Sequence, residues 1–224
     1  MANEGDTGDA LLINPNSAAF ATIILAHGAM APMDSPFLNR MAELLVVRGL
    51  NVVRFEFSYM AARRNGGPKR PPPRAEKLLH EYTAAVAELR GRAEFVMPLI
   101  IGGKSLGGRV ASMVADGLFA AKAVDGLVCL GYPFHPPNKP ENLRILHLKA
   151  MMCPTLILQG ERDPFGCKTE IEAYQLEPKI EFLWMGDGDH DFGPRGRSGY
   201  TKTDNMRAAA DAVQAFAQSL LQNT

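Results

Sequence analysis

The chain is poor in cysteine, with only Cys129, Cys153 and Cys167 among 224 residues. An odd number of cysteines argues against a disulfide framework, and their spacing matches no metal-binding motif. We therefore expect a reducing compartment, and a protein that needs neither a metal ion nor an organic cofactor.

The chain also lacks an excess of charge and any long apolar run. Its 24 basic residues balance 24 acidic ones, so nothing in the overall charge indicates a nucleic acid as partner. No apolar run approaches the roughly 20 residues of a membrane span. Residues 1–9 are polar and acidic and lack the pattern of a secretory signal. We expect a cytoplasmic protein with a flexible tail over 1–9, and the oligomeric state stays open.

Apolar runs alternate with helical patterns along the whole chain, and 46% of the residues are hydrophobic. Strands are predicted at 21–26, 51–56, 96–102, 126–131, 155–159 and 180–185, with a weaker edge strand at 10–14. Helices are predicted from residue 34 or 35 to 48 and at 74–90, 105–118, 141–150, 168–176 and 203–222. This alternation predicts a single α/β domain over 1–224, a three-layer sandwich around a mostly parallel sheet of six or seven strands. The interval between Gly131 and Thr155 is too short for a separate lid domain.

The motif Gly103-Lys104-Ser105-Leu106-Gly107 stands between a predicted strand and a predicted helix. A G-x-S-x-G sequence in this position is typical of a nucleophile elbow, a strained turn that exposes the serine hydroxyl above the sheet edge. The free N–H groups of the following helix stabilise negative charge that develops there. Ser105 is therefore the candidate nucleophile.

A nucleophilic serine needs a base, and that base needs a carboxylate to orient it. Asp163 follows the predicted strand 155–159, and His190 follows the strand 180–185, so both lie at carboxyl ends of strands. We predict a Ser105-His190-Asp163 triad. The competing carboxylates and histidines are Asp187, Asp189, Asp191, His27, His80, His135 and His147.

An oxyanion hole requires two backbone N–H groups. One is predicted at Leu106, directly after the nucleophile. The second is expected in the loop after strand 21–26, at Ala29, with Met30 as the alternative.

Together these motifs resemble the α/β-hydrolase superfamily, and in particular a small, lidless branch similar to dienelactone-hydrolase-like and testis-expressed α/β-hydrolase-like proteins. The matching stretches are Leu25–Ala29, Ile101–Arg109, Pro154–Phe165 and Gly188–Arg195. The resemblance implies the fold and the Ser-His-Asp triad but no particular substrate, because one fold hosts many chemistries. Dienelactone hydrolases proper carry a cysteine where this chain has Ser105.

Residues that contact the substrate are harder to predict. Segment 61–74 carries five basic residues and no acidic one, and it follows a strand on the side of the site. The segment is either a mobile, solvated loop or a border of the active site. In the second case its basic residues, including Arg63 and Arg64, would favour substrates with an anionic acyl or leaving group. Apolar residues in the loops are candidates for an acyl pocket, namely Met30, Met33, Phe134 and Phe165.

The function predicted from these motifs is hydrolysis of a carboxylic ester or thioester through an acyl-enzyme intermediate, with a small-molecule substrate. The alternative is a non-catalytic binding module with the same fold. Gly103-Lys104-Ser105 also matches the end of a phosphate-binding loop, but the first glycine of that motif is replaced by Pro98.

Overall fold

The computed structural model describes residues 11–92, 95 and 97–222. The predicted tail over 1–9 lies outside the described residues, as do positions 10 and 96 of two predicted strands.

Seven strands form one sheet in the order β1-β3-β2-β4-β5-β6-β7. The strands are β1 Leu11–Asn14, β2 Ala21–Ala26, β3 Leu50–Phe55, β4 Leu99–Lys104, β5 Gly126–Leu130, β6 Thr155–Gly160 and β7 Ile180–Met185. Strand β1 runs antiparallel to β3, and all other neighbours are parallel. The predicted mostly parallel sheet, including its edge strand, is confirmed.

Helices cover both faces of this sheet, which confirms the three-layer sandwich. They are α1 Pro36–Val46, α2 Ser58–Arg64, α3 Leu79–Arg90, α4 Leu106–Ala120, α5 Lys168–Glu172 and α6 Lys202–Leu221. Apolar side chains of α3 and α4 pack on one face, and those of α1 and α6 pack on the other. None of the helices in the described ranges is both long enough and apolar enough to cross a membrane.

Strand β4 starts three residues later than predicted and continues two residues further. Pro98 has no amide hydrogen to give to a neighbouring strand, while its carbonyl accepts a hydrogen bond from the Thr22 N–H. The ladder therefore begins at Leu99 and continues through Lys104, directly up to the candidate nucleophile.

Three helix predictions were wrong in part. Region 74–90 divides into a 3-10 turn, Ala75–Lys77, and α3, while α5 ends four residues before the predicted limit. Region 141–150 forms only a 3-10 turn at its end, because the backbone of Arg144 bonds to the preceding loop: its N–H donates to the Phe134 carbonyl and its carbonyl accepts from the Tyr132 hydroxyl.

Helix α2 was missed, because its start depends on a distant residue. The Glu81 carboxylate, in α3, accepts hydrogen bonds from the Ser58 N–H at 2.6 Å and from the Ser58 hydroxyl at 3.0 Å. The first part of the supposed basic loop 61–74 is therefore helical.

Candidate active site

Ser105 occupies a strained backbone conformation between β4 and α4. Its φ and ψ angles are 52° and −112°, a combination that side-chain-bearing residues rarely adopt and that costs about 1–3 kcal/mol. A hydrogen bond of 3.0 Å from the Ser105 N–H to the Leu130 carbonyl ties this turn to β5. The predicted elbow is therefore present in the backbone geometry.

The two glycines of the motif let the elbow approach strand β2. A Cβ atom on Gly103 would lie 2.5 Å from the Ala26 carbonyl oxygen, and one on Gly107 would overlap the same oxygen. Any larger residue at either position would push the turn away from β2. The spacing of the motif thus follows from the crossing of two backbone segments.

Asp163 is completely buried at the carboxyl end of β6, where three groups donate hydrogen bonds to its carboxylate. Its Oδ2 accepts from His190 Nδ1 at 2.7 Å and from Gln159 Nε2 at 3.0 Å, and its Oδ1 accepts from the Phe165 N–H at 2.8 Å. Since a buried carboxylate is costly unless it is well paired, this set of donors fixes the acid in one orientation.

The loop that carries His190 is held by a local turn and by ring packing. Asp189 Oδ1 accepts hydrogen bonds from the N–H groups of Asp191 and Gly193. The Phe165 ring lies 4.4 Å from the imidazole, measured between ring centroids. With Nδ1 donating to Asp163, the imidazole presents Nε2 as its acceptor.

The competing carboxylates have other partners. Asp187 pairs with Arg162 and Arg195, and hydrogen bonds from Arg195 lower the pKa of Asp187 to about 2. Asp189 closes the His190 turn, while Asp191 lies 3.2 Å from the Lys104 ammonium.

In the described part of the chain, His190 is the histidine that hydrogen-bonds to Asp163, and the other candidates have other surroundings. His80 is exposed on α3, and His135 Nδ1 bonds the adjacent Pro136 carbonyl at 2.9 Å. His147 Nε2 lies 2.8 Å from the Ser112 hydroxyl.

His27 is buried and shapes the loop after β2. Its Nε2 accepts a hydrogen bond from the Phe57 N–H at 3.1 Å, so the hydrogen is on Nδ1, which donates to the Gly28 carbonyl at 2.6 Å. Burial lowers the pKa of His27 and outweighs the opposite effect of that carbonyl. The Tyr59 hydroxyl donates to the Ala29 carbonyl at 3.0 Å, which orients the peptide next to the predicted oxyanion position.

Lys104, at the variable position of the elbow motif, has a buried side chain. It is 6% exposed, and its ammonium donates a hydrogen bond of 2.8 Å to the His190 carbonyl. The same nitrogen lies 5.3 Å from the centre of the Phe37 ring. Burial lowers the pKa of Lys104, although Asp191 and Asp163 act to raise it.

A cavity of about 580 Å³ opens beside the elbow. Its lining includes Ser105, Leu106, Ala29 and Phe165. In the described part of the chain no hydrogen bond joins Ser105 to His190. The distance between a nucleophile and its base is often longer in the absence of substrate and shortens when substrate binds.

Five of the six predicted substrate contacts do not line this cavity, namely Met30, Met33, Arg63, Arg64 and Phe134. Phe134 is completely buried and packs against Tyr132, and Met30 is 59% exposed. Arg63 borders a separate groove next to Asp34. Phe165 is thus the one predicted substrate contact that lines the cavity.

The sequence analysis missed three charged residues of the cavity wall, namely Glu76, Arg109 and Arg144. The fourth charged residue of the wall, Arg74, belongs to the basic segment 61–74. Arg109 had a detectable signal, since it lies in the first turn of α4, four residues after Ser105, whereas Arg144 comes from an irregular loop with none. The described residues contain no cluster of histidine, cysteine and carboxylate side chains suited to a metal ion.

A family model described as an alpha/beta hydrolase domain matches residues 19–218. The chain belongs to the alpha/beta hydrolase family. This match confirms the resemblance inferred from the motifs, and the solved structures of the alpha/beta hydrolase fold that the chain resembles include one without a lid.

That structure is a lidless serine hydrolase from Xanthomonas campestris, with 16% identity, a TM-score of 0.63 and coverage of 92% of this chain and 88% of the other. A dienelactone hydrolase from Anabaena variabilis is 20% identical, with a TM-score of 0.67 and coverage of 92% and 89%. The esterase Est1E from Butyrivibrio proteoclasticus, solved with ferulic acid, is 15% identical, with a TM-score of 0.66 and coverage of 95% of each chain. At these identities the similarity establishes the fold alone.

Proposed function

We propose that the protein is a serine hydrolase that cleaves a carboxylic ester or thioester of a small molecule. The observation that carries this proposal is the 2.7 Å hydrogen bond from His190 to the buried Asp163, at the same sheet edge as the strained Ser105 elbow. Membership of the alpha/beta hydrolase family supports hydrolase chemistry.

In the proposed mechanism, His190 Nε2 takes the proton from the Ser105 hydroxyl while the oxygen attacks the substrate carbonyl. Asp163 keeps the imidazole in the required tautomer and stabilises its charged form. The imidazolium then protonates the leaving group as the acyl-enzyme forms. Water, deprotonated by His190, releases the acid and restores Ser105.

The negative charge on the tetrahedral intermediate requires donors that are already oriented. We assign this role to the N–H groups of Leu106, at the start of α4, and of Ala29. Both residues line the same cavity as Ser105. Met30 is not among the residues that line it, so Ala29 is the preferred second donor. By comparison with known oxyanion donors, each contributes about 3 kcal/mol to transition-state stabilisation.

The substrate is expected to be modest in size and accessible from solvent. A cavity of about 580 Å³ accommodates a molecule of a few tens of atoms. The esterase with bound ferulic acid shares the fold, which makes esters of small aromatic acids a reasonable first group of test substrates. We also retain a cytoplasmic location as a proposal, with which the three free cysteines agree.

The decisive experiment is labelling with a fluorophosphonate, followed by intact mass measurement and peptide mapping. We expect one adduct, on Ser105, that is absent from Ser105→Ala and strongly reduced in His190→Ala. Ser219→Ala is the matched control, since this serine lies on α6, far from the elbow in sequence. Absence of an adduct from folded protein would refute the catalytic proposal and favour a non-catalytic binding module.

A further inference from the structure

We infer that the cavity selects substrates that carry a carboxylate in addition to the scissile ester, and that Arg109, Arg144 and Arg74 bind this group. The inference rests on the proposed function of Ser105. It extends that function from esters in general to anionic esters.

Arg109 lies one helical turn after the candidate nucleophile and lines the same cavity. Its N–H donates a hydrogen bond of 3.0 Å to the Ser105 carbonyl, so it lies about 6 Å further along the axis of α4. One terminal nitrogen pairs with the Glu76 carboxylate at 2.9 Å. Its Nε is buried and has no hydrogen-bond partner among the described residues. The guanidinium therefore retains unused binding capacity.

Arg144 supplies a second guanidinium whose position is held by its backbone. The Arg144 N–H donates to the Phe134 carbonyl at 2.8 Å, and the Arg144 carbonyl accepts from the Tyr132 hydroxyl at 2.8 Å. Its side chain is half-buried, and within the described ranges it forms neither an ion pair nor a hydrogen bond. The pKa of Arg144 is lowered mainly by burial and, to a smaller extent, by electrostatic repulsion from Arg109.

Arg74 completes the positive wall at the end of a run of prolines. Pro72 and Pro73 line the cavity directly before it, and proline restricts the backbone that carries the guanidinium. Of the charged residues that line the cavity, three are arginines and one, Glu76, is acidic. The lining therefore has two positive charges in excess.

This arrangement changes the earlier hypothesis about segment 61–74. Arg64 already has two carboxylate partners, Asp34 at 2.8 Å and Glu56 at 2.7 Å, so its charge is compensated. Arg63 lies outside the cavity. Of the five basic residues of the segment, only the last, Arg74, lines the cavity beside Ser105.

A carboxylate fits this wall because the planar guanidinium can donate two parallel hydrogen bonds to it. It would also relieve the repulsion between two partly desolvated cations. The carboxylate can belong either to the acyl part of the ester or to the leaving group, and matched substrates distinguish these sources.

For the acyl side, the substrates are 4-nitrophenyl hydrogen adipate and its neutral methyl ester. For the leaving-group side, they are 4-carboxyphenyl butyrate and 4-(methoxycarbonyl)phenyl butyrate. The readout is the ratio of kcat/KM for the anionic substrate to that for its neutral partner. Comparison of this ratio between variants cancels the intrinsic reactivity of each ester.

We expect Arg144→Gln to lower this ratio at least tenfold in one of the two pairs, and Arg74→Gln to lower it less because Arg74 is exposed. Arg207→Gln, on the surface of α6, is the control and should leave the ratio unchanged. Higher ionic strength should reduce the preference of the unmodified protein. The pair that responds identifies the part of the ester that carries the carboxylate.

Two results would overturn the inference: ratios that stay within twofold in both Arg144→Gln and Arg74→Gln, or a ratio that responds to Arg63→Gln instead. Cleavage of the neutral esters in either case would leave the proposed function intact. If no ester is cleaved and Ser105 is not labelled, that function fails, and calorimetric titration with adipate still tests the arginine site. Adipate binding that is lost in Arg144→Gln supports the site, and equal binding or none by both proteins refutes it.

Discussion

Replacement of Lys104 by methionine tests whether the side chain inside the elbow motif positions the loop that carries His190. Methionine preserves most of the length and apolar contact of lysine but removes the ammonium. The change breaks the 2.8 Å hydrogen bond to the His190 carbonyl and the 3.2 Å pair with Asp191. Asp163 keeps its hydrogen bond to the imidazole, so only the backbone support of the histidine is lost.

The effect on stability should be small, because two contributions oppose each other. A hydrogen bond from a charged donor contributes about 1.5–3 kcal/mol. Removal of the ammonium also removes the cost of burying it, which is the main reason that the pKa of Lys104 is lowered. Asp191 is 59% exposed and regains water once unpaired. We therefore expect a net loss of about 1 kcal/mol in the free energy of unfolding.

The effect on catalysis should be larger than the effect on stability. A displacement of about 1 Å of a catalytic group costs on the order of a hundredfold in rate. We expect kcat for a neutral 4-nitrophenyl ester to fall at least tenfold, with little change in KM. Urea unfolding and steady-state kinetics of Lys104→Met measure the two effects on the same preparation.

Asp191→Asn serves as the matched control, since it weakens the ion pair at its exposed carboxylate and keeps the hydrogen bond from Lys104 to the His190 carbonyl. Its kcat should stay within about threefold of the unmodified protein, because the changed side chain is exposed and the contact to the histidine backbone is retained. A folded Lys104→Met protein with unchanged kcat would refute the positioning role. Equal losses in the two variants would show that the ion pair, and not the carbonyl contact, supports the loop.

Three further predictions concern the elbow, the acid and the dependence of stability on pH. Gly107→Ala should destabilise the fold by about 1–3 kcal/mol in urea unfolding, because the added Cβ overlaps the Ala26 carbonyl. Gly117→Ala on the same helix, where a Cβ meets nothing within 4 Å, should instead stabilise by about 0.5–1 kcal/mol, and similar effects would refute the crowding argument. Asp163→Asn should lower kcat on the order of 10⁴-fold by favouring the wrong imidazole tautomer, and a loss below tenfold in ester hydrolysis would contradict its assignment. The free energy of unfolding should fall as the pH drops below 6.5, because burial lowers the pKa of His27 and the unfolded chain therefore binds the proton more readily. The variant His27→Asn should weaken this dependence between pH 7.5 and 5.5. An unchanged slope of the free energy of unfolding against pH would exclude His27 as its source.

The triad candidates could be predicted from sequence because each carries a local signal. Ser105 has glycines two residues before and after it, Asp163 follows a buried apolar run, and His190 follows a largely apolar strand. Parallel strands bring their carboxyl ends to one edge, so the order of strands along the chain was enough to predict that these residues lie near one another. The hydrogen bond from His190 to Asp163 agrees with that prediction.

Substrate contacts were predicted less well, because no periodicity connects residues from different loops. Phe134 and Phe165 are both aromatic and both follow strands, yet the first is buried in the core and the second lines the cavity. The cluster of basic residues at 61–74 indicated positive charge near the site but not which arginines supply it. Arg64 is compensated by carboxylates that no local pattern could identify.

The sequence by itself determined the alternation of strands and helices, the elbow motif and the order of the candidate nucleophile, acid and base. These properties depend on apolar periodicity and on glycine, which act over a few residues. The tertiary structure alone decided that Lys104 is buried under the His190 loop and that Arg109 and Arg144 line one cavity. Such contacts depend on how separate loops pack at the sheet edge, where burial and charge are shared between residues far apart in the chain.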